Sequence, residues 1–356
     1  MVEFSQYGGA SAEWLALEAT MPAISLDTSQ DPLLLKRVVN AGREERSAAA
    51  MKDLAPQVKI LDYSIPTRDF STVEARSYRP LSKPADEKLP VYLYFHGGGF
   101  LFGTLSSDDD ICARLAINIG VVVLSVNYRH TPEHTFPVAW HDSQDSFAWL
   151  HTHISGLGCD PTKVVVGGVS AGGQLAASLV LEKHLGKALI EFPPIAGQIL
   201  IIPALAHLET YKDAQLKQIK SPVLSSYVEN EFAPVLPKAA CEFFIGLLKT
   251  GTPALKDTKL NPGNASPEEV KRLPPTVFGI AGLDPLRDEA LLYAKLLAEA
   301  DVPTDIRLFK GVPHGYRRFG KALRASQHWD DAVEQGILWT LGQPKATGKF
   351  NVVVKE

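Results

Sequence analysis

The sequence predicts an α/β fold, a mostly parallel sheet with helices on both faces. Three observations predict it. Segments 91–95, 121–128, 163–168, 197–205, 276–282 and 304–309 run apolar along their length, as strands buried on both faces do. Helix-spaced apolar patterns lie between most of them, at 107–120, 138–153 and 287–300. Two earlier segments, 58–65 and 72–80, alternate apolar with polar residues, as half-exposed strands of an edge hairpin would.

Taken in order, residues 1–55 read as N-terminal cap helices, with 31–54 the clearest amphipathic piece. Residues 56–205 form the first part of the sheet domain, and 273–342 complete it. Between them, 206–272 breaks the alternation with helix-like pieces and proline-rich loops and no convincing strand. An insertion there is expected to sit over the C-terminal edge of the sheet, where open α/β sheets bind ligands. Residues 343–356 read as a C-terminal tail. No internal repeat or low-complexity tract appears.

Composition excludes several function classes. The 356 residues carry 36 basic and 40 acidic side chains, a net charge of −4, with no block of one sign. Nucleic acid and anionic membrane surfaces are therefore poor partners, and a small, weakly charged substrate is expected. No run of about 18 apolar residues occurs, so stable membrane insertion is not expected. The first residues lack the basic-then-apolar pattern of a secretory signal. Three scattered cysteines suit a reducing compartment, and a cytoplasmic location is the expectation.

The chemistry begins at residues 163–173, KVVVGGVSAGG. A glycine-x-serine-x-glycine pattern arises by chance in roughly one chain in eight of this composition, so the motif alone decides little. Its context decides more. A valine run before it and a helical pattern after it supply the strand, turn and helix of a nucleophile elbow, with Ser170 at the bend. Side chains at Gly168 and Gly172 would collide with neighbouring backbone in such a turn. The stretch HGGG at 96–99 is far rarer by chance, and follows a buried strand. There the amides of Gly97 and Gly98, with that of Ala171 after the serine, are candidate donors to an oxyanion. In AGLDPLRDEA, Asp284 lies at a strand end and is the preferred acid; Asp288 falls in the following helix, as a first-turn acid favoured by the helix dipole. His314 follows the last core strand. The order Ser170, Asp284, His314 is that of an α/β-hydrolase, each residue riding a separate strand end.

The set HGGGF (96–100), NYRHTPEHTFPVAW (127–140), GVSAGG (168–173), DPLRDEA (284–290) and VPHGY (312–316) resembles the hormone-sensitive lipase branch of the α/β-hydrolase superfamily, over about residues 57–342. The resemblance implies an eight-stranded sheet with the second strand antiparallel, a helical cap, and a carboxylic ester hydrolase with no cofactor and no metal. It matches Ser170, Asp284 and His314 to the triad and Gly97, Gly98 and Ala171 to the oxyanion donors. It also allows a homodimer through an outer strand or helix. Two departures stand out: Val169 replaces the Asp or Thr common before the nucleophile, and His130 and Thr131 alter the usual NYRLAPEHPFP segment.

The expected reaction is hydrolysis of a small or medium apolar ester through an acyl-enzyme, with Phe100, Phe102, Trp140, Phe232, Phe243 and Phe244 as candidate pocket residues, each equally suited to the core. Alternatives on the same fold are a cyclase, lyase or lactone hydrolase of specialised metabolism, and a non-catalytic receptor, against which His314 argues. The pair of histidines at 151 and 153 has no third ligand at metal-binding spacing, Gly156–Gly158 lacks the rest of a dinucleotide loop, and SSDDD at 106–110 reads as a helix cap with first-turn acids.

Overall fold

A computed structural model describes residues 1–22 and 26–355; residues 23–25 of the expected N-terminal cap and residue 356 of the tail lie outside them. The strands are β1 (Val58–Pro66), β2 (Thr72–Pro80), β3 (Leu89–Phe95), β4 (Val122–Asn127), β5 (Cys159–Val169), β6 (Gly197–Ile201), β7 (Thr276–Leu283), β8 (Thr304–Pro313) and β9 (Val352–Lys355). They form one sheet in the order β1-β2-β4-β3-β5-β6-β7-β8-β9. β2 runs antiparallel to both its neighbours, and every other pairing is parallel.

Continuous apolarity in the central strands reflects burial of both faces. In β3, Val91, Leu93 and Phe95 enter one core while Tyr92 and Tyr94 enter the other. In β5, Val164 and Val166 face one side and Val165 the other. The helices Val138–His153, Ala171–His184 and Arg287–Glu299 cover the first face through Phe147, Leu175 and Leu291; Asp109–Ile119 and Ala325–Leu341 cover the second through Leu115 and Ile337. Each such side chain contributes about 1.5–3 kcal/mol by leaving water.

The sheet has nine strands where eight were expected. The tail supplies the ninth: Val352 to Lys355 pair with Ile306 to Phe309 on the open edge of β8, and Phe350 packs on Phe4 with ring centroids 6.1 Å apart. A short valine run beside an unpaired edge gains a ladder of hydrogen bonds that its own sequence does not announce.

The N-terminal segment, expected to form cap helices, also packs into the sheet domain's cores. Phe4 and Trp14 are buried in the two cores, and Ser11 N–H donates to the Gly311 carbonyl at 3.1 Å, fixing the helix Ala12–Glu18 to the end of β8. The long helix Pro32–Leu54, N-capped by Asp31, then crosses above the loop after β3. Between β6 and β7, residues 206–270 contain the helices Leu208–Asp213, Ser226–Glu229, Lys238–Leu248 and Pro267–Val270 and, among the described residues, no strand. None of the described helices is long and apolar enough to cross a membrane. Cys112, Cys159 and Cys241 are buried free thiols.

Candidate active site

β5 ends at Val169 and the next helix starts at Ala171, which leaves Ser170 alone to turn the chain. It does so at φ 54° and ψ −116°, a conformation costly for a residue with a Cβ. The turn closes tightly because two glycines flank it. A Cβ on Gly172 would lie 2.1 Å from the Phe95 carbonyl oxygen, and one on Gly168 would lie 2.4 Å from the Gly172 carbonyl carbon. The Ser170 amide donates to Ile201 O at 2.9 Å, which holds the bend against β6.

Ser170 Oγ lies 3.0 Å from His314 Nε2, and His314 Nδ1 lies 2.7 Å from Asp284 Oδ2. A carboxylate only accepts, so Nδ1 carries the proton and Nε2 presents its lone pair to the serine hydroxyl. The other Asp284 oxygen accepts from the Leu286 amide at 2.9 Å, and Asp284 is 1% exposed. Its rival is occupied elsewhere: Asp288 accepts from the Ser226 amide at 2.8 Å and from Arg287 Nε at 2.9 Å.

The loop after β3 faces Ser170 from the other side. Gly98 adopts φ 142°, and a Cβ there would meet the Phe102 carbonyl oxygen at 2.1 Å. Among the described residues, the amides of Gly97, Gly98 and Ala171 donate to no protein acceptor. Their peptides are held from behind. Tyr128 Oη donates to the His96 carbonyl at 2.8 Å, Arg43 donates to the Gly97 carbonyl at 2.9 Å, and the Ser170 carbonyl accepts from the Gln174 amide at 3.1 Å. In a trans peptide the N–H points opposite to the C=O, so each clamp aims an amide. His96, pushed down to about 4 by burial and by the Arg43 charge, is neutral, and its Nδ1–H donates to Gly97 O at 3.1 Å.

Asp108 stands at the N-cap position with Asp109 and Asp110 in the first turn, as expected, but its side chain makes no capping hydrogen bond and belongs to this scaffold instead. It accepts from Arg43 at 2.9 Å and from Tyr94 Oη at 2.8 Å, and although burial opposes it, the Arg43 charge holds its carboxyl below the usual range. Val169 packs against the loop: a Cβ on Gly97 would come within 3.1 Å of Val169 Cγ1. The altered segment stays structural. Thr131 N–H donates to Phe100 O at 2.9 Å, and the His130 ring lies 4.9 Å from Tyr128.

A cavity of about 920 Å³ opens above Ser170 and His314, ample for a small organic ligand. Phe100, Phe102 and Phe244 line it, joined by Leu26, Tyr227 and Leu236. The other three expected pocket residues stand elsewhere. Trp140 is buried behind Phe100, stacked at 4.8 Å, with its indole N–H donating to Lys259 O; Phe232 is 89% exposed; Phe243 packs edge-on against Phe244 outside the wall. Helical rotation separates Phe243 from Phe244, since adjacent helix residues do not share a face. Missed in the sequence were Arg43, Asp108 and Tyr128, whose roles depend on contacts 32 to 65 residues apart along the chain. Among the described residues no cluster of three metal-ligating side chains exists.

A family described by its alpha/beta hydrolase fold matches residues 92–318, which hold Gly97, Ser170, Asp284 and His314. The chain belongs to the α/β-hydrolase fold family. Among relatives of this α/β-hydrolase, the esterase LipI of Mycobacterium tuberculosis is 31% identical over 325 residues, 86% of this chain and 93% of that one. The thermostable carboxylesterase EstE1, cloned from a metagenomic library, superimposes with a TM-score of 0.76 at 31% identity, over 89% of this chain and 99% of its own. Vibralactone cyclase superimposes with a TM-score of 0.82 at 26% identity, over 96% and 98%.

Proposed function

We propose that this α/β-hydrolase is a serine carboxylesterase acting on small or medium apolar esters. The observation that carries the reading is the continuous chain Ser170–His314–Asp284 at 3.0 and 2.7 Å, with the serine on a strained turn near amides that, among the described residues, have no protein acceptor. His314 takes the Ser170 proton as Oγ attacks the ester carbonyl, and Asp284 stabilises the imidazolium. The amides of Gly97, Gly98 and Ala171 hold the oxyanion. His314 then protonates the departing alcohol, and water repeats the sequence on the acyl-enzyme. The likeness to LipI and EstE1 supports the same reading. The buried unpaired thiols support work in a reducing, cytoplasmic setting.

A fluorophosphonate probe and a 4-nitrophenyl acyl-chain series test it. Covalent labelling at Ser170, turnover of short to medium esters, and a fall of about 10⁴-fold or more in Ser170→Ala are expected. Retained turnover in that variant overturns the assignment. The likeness to vibralactone cyclase favours one second reading, a cyclase or lactone hydrolase using the same serine. A labelled serine with lactone turnover and no turnover of acyclic esters selects it.

A further inference from the structure

One wall of the cavity carries more positive charge than its surroundings neutralise. Arg43, Arg114 and Arg317 line it and are matched by Asp108, 2.9 Å from Arg43, by Asp110, 3.4 Å from Arg317, and by Asp330, which lies 2.5 Å from Arg317 and 3.7 Å from Arg114. Arg46, Arg318, Lys321 and Arg324 line the same cavity and, among the described residues, form no ion pair within 4.0 Å. Four unmatched cations converge here in a chain whose net charge is −4. A concave wall focuses such a potential.

Arg318 is the informative member. It stands four residues after His314, and its Nε donates to the Gly315 carbonyl at 3.3 Å, which leaves its terminal nitrogens without a partner among the described residues. Its side chain lines the cavity and is exposed, as are those of Arg46, Lys321 and Arg324. Exposed like charges repel only weakly in water, but gathered along a concave surface they add to a positive potential that draws an anion. A guanidinium offers paired, coplanar donors that fit a carboxylate.

Phe102, Leu236 and Phe244 supply apolar lining, whereas Arg318 is hydrogen-bonded to Gly315, the residue after His314. A leaving alcohol departs on the His314 side, because Nε2 protonates it. We infer that Arg318 and Arg46 form an anion subsite, and that the substrate is an ester whose alcohol half carries a carboxylate. The inference rests on the hydrolase reading above and refines its substrate class, from a neutral ester to one charged on the leaving side.

The test compares 4-acetoxybenzoate with the neutral 4-acetylphenyl acetate, each rate divided by that of alkaline hydrolysis. The enzyme is expected to favour the carboxylate by about tenfold or more in kcat/KM, and the preference is expected to shrink as salt rises from about 0.05 to 0.5 M. Arg318→Gln with Arg46→Gln abolishes the preference, whereas Lys88→Gln, on an exposed loop away from the cavity, retains it. Fluorophosphonate labelling of each variant reports an intact Ser170. Equal normalised rates for the two esters, or a preference unchanged in the double variant, overturn the anion subsite while leaving the esterase reading in place. No turnover of either ester, with Ser170 unlabelled, overturns both.

Discussion

Arg43 of the long N-terminal helix donates to the Gly97 carbonyl at 2.9 Å, on the far side of the peptide whose N–H belongs to Gly98. A helix outside the sheet therefore sets the aim of an amide inside the site. The same guanidinium binds Asp108, so helix, loop and the start of the next helix are fastened at one point.

Arg43→Met should lower kcat by about tenfold to a hundredfold with a smaller change in KM, less than the loss on removing an oxyanion donor outright. Arg43→Lys should recover part of the loss, and Tyr128→Phe, which frees only the His96 carbonyl, should cost less. Steady-state kinetics on a short acyl ester checks all three; unchanged kcat in Arg43→Met would refute the clamp.

Glu289 ties the segment between β6 and β7 to the helix after β7. It accepts from the Leu205 and Ala206 amides at 2.7 and 3.0 Å and from Tyr227 Oη, and burial raises its pKa from 4.5 to about 7. The folded chain thus binds more protons here than the unfolded chain between those values. Its contribution is fully present below about pH 4.5 and fades as pH rises through 7, a span of about 3 kcal/mol. Glu289→Gln should flatten that part of the stability–pH curve, measured by urea unfolding at pH 5 and 8.

The elbow tolerates no added atom. Gly172→Ala should destabilise by about 3 kcal/mol or yield no folded protein, since the methyl meets backbone that cannot move aside. Gly173→Ala, whose methyl meets Pro203 Cβ at 3.0 Å, should cost less. Denaturant midpoints of the two variants decide it; equal costs would speak against the tight turn.

Phe244 covers Gly99 and meets Phe102 edge-on at 5.6 Å, within the cavity wall. Phe244→Ala should shift preference toward longer acyl chains by several-fold in kcat/KM. Phe232→Ala, on a solvent-exposed ring, should leave the chain-length profile unchanged. An acyl-chain series on both variants separates wall from surface.

The sequence by itself determined the sheet and singled out the three side chains proposed to react. Apolar runs mark β3 to β8 because both faces of each strand are buried, and Ser170, Asp284 and His314 are legible because each closes a strand in a distinctive local pattern. Only the tertiary structure decided the rest. Phe244 lines the cavity and Phe243 does not through helical rotation alone; the valines of β9 join the sheet because β8 has an open edge; Arg43 reaches Gly97 across 54 residues. Local motifs record chemistry that one short segment must perform. Clamps, walls and charge clusters arise between segments, where many sequences serve equally and none leaves a local signature.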